Sequence, residues 1–93
     1  MSETIARLHV TVRGRVQGVG FRFQTQQAAE DLGLTGWVAN RSDLSVEVVA
    51  EGPRATLDRF LTFLKRGPSM AQVTELQHEY LPATREFDEF RVE

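Results

Sequence analysis

Residues Gly14 to Arg22 read Gly-Arg-Val-Gln-Gly-Val-Gly-Phe-Arg, and the rest of the chain is organised around this stretch. Its three glycines lie directly after an alternating strand pattern and directly before a helical one. Glycine lets the backbone approach a ligand closely and adopt positive φ. A helix start adds unpaired N–H groups and the positive end of the helix dipole. Together these features predict a binding site for an anion, most often a phosphate.

Arg22 falls in the first turn of the predicted helix, where a cation costs about 0.3–1 kcal/mol. An anion bound between Arg22 and the helix start would offset that cost. The stretch is not a Walker A loop, because no Gly-Lys-Ser/Thr follows, and its glycine spacing does not match the dinucleotide fingerprint. The residues alone therefore favour anion binding and leave its purpose open.

Hydrophobic periodicity on both sides of this stretch predicts the remaining elements. Pro53 is expected at the first position of the second predicted helix. In the fourth predicted strand, we expect a bulge or a late start between Val73 and Leu76. The predicted elements are a strand over 7–13, a helix from Phe21 to Leu32, strands from Leu34 to Asn40 and from Leu44 to Ala50, a helix from Gly52-Pro53 to Gly67-Pro68, a strand from Gln72 to Tyr80, and a short final strand around Phe87, Phe90 and Val92.

This order predicts an α+β protein with the ferredoxin-like βαββαβ sandwich, in which an antiparallel sheet carries two helices on one face, plus a short C-terminal strand. The length of 93 residues, without a linker or a repeat, predicts one domain over residues 1–93. Because this fold hosts many unrelated functions, it does not by itself indicate an activity.

Composition argues against several classes of protein. The chain has no cysteine, which fits a reducing compartment and rules out thiolate chemistry. A net charge of −2 argues against nucleic-acid binding, and no apolar run approaches the roughly 18 residues of a membrane span. Neither His9 nor His78 has a partner at metal-ligand spacing, so no metal or cofactor is expected. The start of the chain lacks a signal segment, and we expect a cytoplasmic monomer without nucleic-acid or membrane partners.

Asn40 is the second candidate site residue, at the end of the second predicted strand. Asparagine is common in turns, so a purely structural role remains open. If the second strand lies beside the first, Asn40 faces the glycine loop. Its amide can accept a proton from water and donate to an oxyanion, so it can orient a nucleophile.

Two motifs resemble those of a known family. The stretch Gly14 to Arg22 resembles the first signature of the acylphosphatases. Gly36-Trp37-Val38-Ala39-Asn40, followed by Val46 and Gly52, resembles their second signature. The resemblance implies a ferredoxin-like enzyme that hydrolyses acyl phosphates to a carboxylate and inorganic phosphate, with phosphate also a competitive inhibitor.

The resemblance also implies roles for individual residues. Arg22 binds the phosphoryl oxygens, and Asn40 positions the attacking water. The phosphate-binding amides are those of Arg15, Val16, Gln17, Gly18, Val19 and Gly20. The side chains of Val16, Gln17 and Val19 are expected to be secondary to their backbone.

One residue departs from the family pattern, since Leu44 occupies a turn position where the family usually has glycine. Leucine at positive φ costs roughly 1–2 kcal/mol, so either the turn is rebuilt or the strain is carried.

Three rival interpretations remain. The main one is a non-catalytic anion-binding module on the same fold, which would need the loop and Arg22 but not Asn40. A domain of a larger carbamoyl-transfer protein is less favoured, because the chain begins with Met1 and ends just after the last strand. An RNA-binding module is weakest, because the chain lacks the basic aromatic run of such modules and is net acidic.

Overall fold

The computed structural model describes residues 4–93, so the first three residues of the predicted domain lie outside the described part. The predicted order of elements is confirmed. The bounds of the elements are β1 (Ile5–Arg15), α1 (Phe21–Asp31), β2 (Thr35–Asn40), β3 (Val46–Pro53), α2 (Arg54–Arg66), β4 (Gln72–Pro82) and β5 (Phe90–Val92).

The strands form one sheet in the order β4-β1-β3-β2-β5. The ladders β1–β3, β1–β4 and β2–β3 are antiparallel, as the ferredoxin-like prediction requires, and β5 joins β2 in parallel to make the sheet mixed. The expectation that the second strand lies beside the first is wrong. β3 separates them because β2 and β3 form a hairpin whose second strand pairs with β1, which is the split arrangement of this fold.

The core lies between one face of the sheet and the two helices. Alternating residues of β1 and β3 are fully buried on that face, because side chains two apart along a strand point the same way. α1 packs on β2 and β5, and α2 packs on β1 and β3. The largest fully buried side chains are Phe21, Phe60, Leu8, Leu57 and Leu64.

Several predicted boundaries are wrong in detail. The final strand begins at Phe90, so Phe87 lies in the connection before it. The third strand begins at Val46 instead of Leu44, because Leu44 has φ 74° and cannot continue a strand. Its N–H donates to the carbonyl of Arg41 at 3.0 Å, so Leu44 closes the hairpin turn and carries the strain. Pro53 lies at the N-cap of α2 with extended backbone (φ −60°, ψ 139°), one position before the helix.

The predicted irregularity of the fourth strand is confirmed as a register shift. Arg13 pairs with Glu75 and Gly14 pairs with Val73, so β4 has one extra residue, Thr74, opposite that step. The shift occurs where β1 approaches the glycine loop. The sheet therefore changes its local geometry directly before the predicted anion site.

Residues 83–89 connect β4 to β5 along the sheet face opposite the helices. There the carboxylate of Glu51, 4% exposed, accepts hydrogen bonds from the backbone N–H groups of Thr84 and Arg85, both at 2.9 Å. Arg7 Nε donates to the same carboxylate at 2.8 Å. Burial by itself would raise the pKa of Glu51, but the hydrogen bonds from Thr84, Arg7 and Arg85 lower it on balance. This connection fixes β5 beside β2.

The helices give no indication of a membrane span. In residues 4–93, neither helix combines the length and the apolar character that crossing a membrane requires.

Candidate active site

The loop between β1 and α1, residues 16–20, leaves its backbone donors free. Gly18 has φ +76°, and Gly20, the N-cap of α1, has φ +79°. These left-handed conformations strain any residue with a Cβ, which explains glycine at both positions. Within the described chain, the N–H groups of residues 16–20 donate no hydrogen bond to another residue. The loop therefore offers unpaired N–H groups next to a helix N-terminus, the arrangement that binds anions.

Arg22 lies in the first turn of α1, where no acidic side chain is present. Its Nη1 donates to the backbone oxygen of Glu93 at 2.9 Å. No ion pair joins it to an aspartate or glutamate side chain in the described range 4–93. The guanidinium and the loop amides thus form one electropositive region without a side-chain counterion.

Asn40 is the last residue of β2, where it pairs in register with Val46. Val46 pairs in turn with Val12 of β1, so Asn40 lies two strands from the residues that lead into the loop. Its Oδ1 is buried and has no hydrogen-bond partner among the described residues. An unsatisfied buried acceptor costs about 1–3 kcal/mol, so this oxygen is available to a ligand that donates a hydrogen bond.

The side chain of Gln17 fastens the loop to the β2–β3 turn. Its Nε2 donates to the carbonyls of Arg41 and Ser45 at 2.8 and 2.9 Å. Arg41 directly follows Asn40, so these two bonds connect the loop to the end of the strand that carries the amide. This side chain has a larger part than the sequence predicted, because it holds the two halves of the candidate site together.

These groups surround a cavity of about 350 Å³. Of the predicted site residues, Val16, Gly18, Gly20, Arg22 and Asn40 line it, whereas Arg15, Gln17 and Val19 do not. The lining residues that the sequence did not indicate are Phe21, Phe23, Gln26 and Val92.

Two signals could have indicated part of this lining. Phe23 lies outside the apolar stripe of α1, and Gln26 lies one helical turn after Arg22 on the same side. The position of Val92 follows only from the pairing of β5 with β2, where Val92 lies opposite Val38.

The chemistry of the cavity is electrostatic. Among residues 4–93, Arg22 is the one ionisable side chain that lines the cavity, so this part of the chain places no carboxylate or imidazole side chain there for acid–base catalysis. Across residues 4–93, no group of three histidine, cysteine, aspartate or glutamate side chains is placed to hold a metal ion. His9 Nε2 lies 2.6 Å from a carboxylate oxygen of Glu47 on the opposite sheet face, outside this cavity.

The described residues thus combine a ferredoxin-like sandwich, an open backbone loop with an arginine in the first helical turn, and a buried amide oxygen without a hydrogen-bond partner. Such a set of donors suits a small anion such as a phosphate group. Residues 8–92 match the family model described as Acylphosphatase. The chain therefore belongs to the acylphosphatase family, and the resemblance noted in the sequence is confirmed.

Individual relatives agree with this assignment. The chain is 47% identical over 91 residues to an acylphosphatase of Burkholderia thailandensis, covering 98% of this chain and 93% of the relative. It is 49% identical over 86 residues to an acylphosphatase of Methylococcus capsulatus, covering 92% and 94% of the two chains. The crystal structure of acylphosphatase from Bacillus subtilis matches with a TM-score of 0.90 at 36% identity, covering 95% and 98%. The predicted fold and enzyme class, a hydrolase acting on acid anhydrides, are confirmed.

Proposed function

We propose that this chain is an acylphosphatase, which hydrolyses the carboxyl–phosphate bond of acyl phosphates to a carboxylate and inorganic phosphate without a metal or a cofactor. The observation that carries the mechanism is the pairing of two features in one cavity. These are an electropositive cradle, formed by the loop amides and Arg22, and the buried, unpartnered Oδ1 of Asn40.

The cradle holds the phosphoryl group. The transition state of phosphoryl transfer carries charge on its three equatorial oxygens. The free N–H groups of residues 16–20 and the fixed fork of the Arg22 guanidinium donate hydrogen bonds to those oxygens. Because these donors are held by the loop and the helix before substrate binds, they need little rearrangement during the reaction.

Asn40 orients the attacking water. Its Oδ1 accepts a hydrogen bond from the water, and the bonds of Gln17 hold that end of β2 against the loop. The water oxygen attacks phosphorus as the bond from phosphorus to the bridging oxygen breaks. The proton of the water passes to solvent. The rate enhancement comes from holding the water and the phosphoryl group in line with each other, and no general base takes part.

The leaving group needs no general acid. It departs as a carboxylate, whose conjugate acid has a pKa of about 4, so it is stable without a proton at neutral pH. This agrees with a cavity in which Arg22 is the one ionisable side chain from the described part of the chain.

A non-catalytic anion-binding module is not favoured, because such a module would not require the buried acceptor of Asn40. The family supports an acyl phosphate as substrate and phosphate as product. We further propose that residues 1–93 act as one domain in a cytoplasmic monomer, without nucleic-acid or membrane partners.

Steady-state hydrolysis of benzoyl phosphate in the presence of a chelator tests this function. We expect turnover that the chelator does not reduce and that inorganic phosphate inhibits competitively. Phosphate binding without turnover would support the anion-binding module instead. Turnover that disappears with the chelator and returns with a divalent metal would contradict the metal-independent mechanism.

A further inference from the structure

Two large apolar side chains lie exposed at the candidate active site. Phe23 is 62% exposed and Val92 is 39% exposed, and both line the cavity that contains Arg22 and Asn40. The other large apolar side chains that are exposed in the described chain, Leu44, Met70 and Leu81, lie outside this cavity. Of the large apolar side chains that are exposed in the described chain, only Phe23 and Val92 therefore lie beside the phosphate cradle.

The positions of both side chains follow from the elements that carry them. On α1, Phe21 and Thr25 turn into the core, so Phe23 between them points away from it. On β5, Phe90 is buried, and Val92 lies two residues further along the same face. Gln26 Nε2 donates to the carbonyl of Phe90 at 3.1 Å, which holds α1 and β5 together.

The charges of the cavity restrict what can contact this apolar surface. Arg22 is the one ionisable side chain that the described residues contribute to the lining, and in the proposed mechanism it binds the phosphoryl group of the substrate. A second charged group on the substrate would find no oppositely charged side chain there. An uncharged apolar group, by contrast, would remove apolar surface of Phe23 and Val92 from water.

We propose that Phe23 and Val92 form the acyl-group subsite and favour acyl phosphates with an uncharged apolar acyl group over those with a small or polar one. This inference rests on the proposed function, because it places the acyl group beside a phosphoryl group held by the loop and Arg22. The substrate class is a mixed anhydride of phosphate with an aromatic or aliphatic carboxylic acid.

The test compares benzoyl phosphate with acetyl phosphate. In Phe23→Ser, we expect kcat/KM for benzoyl phosphate to fall about tenfold, because contact with one apolar group is worth roughly 10–200-fold. The loss for acetyl phosphate should be at most twofold. Val92→Thr, which keeps the shape of valine, should give a smaller change in the same direction. Met70→Ser, an exposed apolar residue outside the cavity, serves as the matched control and should leave the ratio unchanged.

Binding of phosphonates separates failure of the subsite from failure of the proposed function. Benzylphosphonate and methylphosphonate carry the same anionic group and cannot be hydrolysed as anhydrides. We expect wild type to bind benzylphosphonate about tenfold more tightly, and Phe23→Ser to lose that preference. Equal binding of the two phosphonates by wild type would overturn the subsite even if benzoyl phosphate is hydrolysed. A clear preference without any turnover would support the subsite and contradict the proposed hydrolysis.

Discussion

Within residues 4–93, backbone N–H groups and an arginine are arranged in two places as cradles for an anion. In one, the backbone N–H groups of Thr84 and Arg85 and the guanidinium of Arg7 surround the carboxylate of Glu51. In the other, Val16, Gly18 and Gly20 of the loop and the guanidinium of Arg22 line a cavity. We refer to them as the closed cradle and the open cradle.

The difference between them is the source of the anion. The closed cradle is filled by a side chain of the protein itself, so its donors stabilise the fold and hold residues 83–89 in place. The open cradle has no side-chain carboxylate among the described residues, so its loop N–H groups and the Arg22 donors other than the one bonded to Glu93 are available to a ligand. Similar donors therefore hold a structural anion in one place and, in the proposed mechanism, the phosphoryl group of the substrate in the other.

Replacing Arg22 of the open cradle should reduce activity, whereas replacing Arg7 of the closed cradle should reduce stability. The loss of activity in the Arg22 variant is the largest effect that we expect. Arg22→Ala should lower kcat about 10³–10⁵-fold, the range measured for arginines that stabilise phosphoryl transfer. Its free energy of unfolding should change little. The measurement is steady-state hydrolysis of benzoyl phosphate together with urea unfolding.

Arg7→Ala is the matched variant in the closed cradle. It removes a charged donor from the buried Glu51 and should lower the free energy of unfolding by about 2 kcal/mol. The folded fraction should keep its kcat. Loss of activity in folded Arg7→Ala, comparable to that in Arg22→Ala, would show that the two cradles do not differ as described.

Asn40→Ala removes the buried acceptor beside the open cradle. We expect kcat to fall about 10²–10³-fold, the scale for losing one oriented polar group. The inhibition constant of inorganic phosphate should change little, because the loop and Arg22 remain. Full activity in this variant would refute the water-orienting role, and a parallel loss of phosphate binding would assign Asn40 to the cradle instead.

Glu51→Gln replaces the anion of the closed cradle with a neutral group. Because the folded state holds the pKa of Glu51 below its ordinary value of 4.5, the charge stabilises the fold above that pH. This stabilisation is lost as the pH falls through the lowered pKa. We expect the variant to be about 1–3 kcal/mol less stable than wild type at neutral pH.

The free energies of unfolding of wild type and Glu51→Gln should converge as the pH is lowered from 5 to 3. Chemical unfolding at a series of pH values measures this difference. A difference that is independent of pH would show that the charge of Glu51 does not hold the closed cradle.

The smallest expected effect is that of a substitution at Leu44. This residue lies in the β2–β3 turn, which the side chain of Gln17 links to the open cradle. Leu44→Gly should raise the free energy of unfolding by about 0.5–1 kcal/mol, because relief of left-handed strain exceeds the added entropy of the unfolded chain. Little packing is lost, since this side chain is 68% exposed. Leu44→Ala keeps the strain, so it should show no gain, and equal stability of the two variants in thermal unfolding would exclude strain as the cause.

Local features of the fold were readable from the sequence, and long-range ones were not. The glycine loop, the start of α1 and the position of Arg22 follow from patterns within a few residues. The closed cradle could not be anticipated, because it joins Glu51 to residues more than thirty positions away. The broken alternation of β4 predicted an irregularity, either a bulge or a late start, and the structure shows it as a register shift. The position of β3 between β1 and β2 was not predicted.

The candidate site also combines residues that local sequence patterns predicted with residues whose place depends on long-range contacts. The arginine and the loop amides were predicted from local sequence, and Asn40 shares their cavity even though the reason given for its proximity was wrong. Instead of direct pairing of β2 with β1, the side chain of Gln17 joins the loop to the end of β2. Val92 was missed as a site residue because its place depends on β5 pairing with β2, which no local pattern reveals.

Titration of the protein with inorganic phosphate, followed by the NMR shifts of its backbone N–H groups, compares the two cradles in one experiment. We predict that residues 16–22 shift in a saturable manner in wild type and lose that response in Arg22→Ala. Thr84 and Arg85 should not respond in either protein, because Glu51 already occupies their cradle. Saturable shifts at Thr84 and Arg85, or none at residues 16–22, would contradict the assignment of the open cradle as the phosphoryl site.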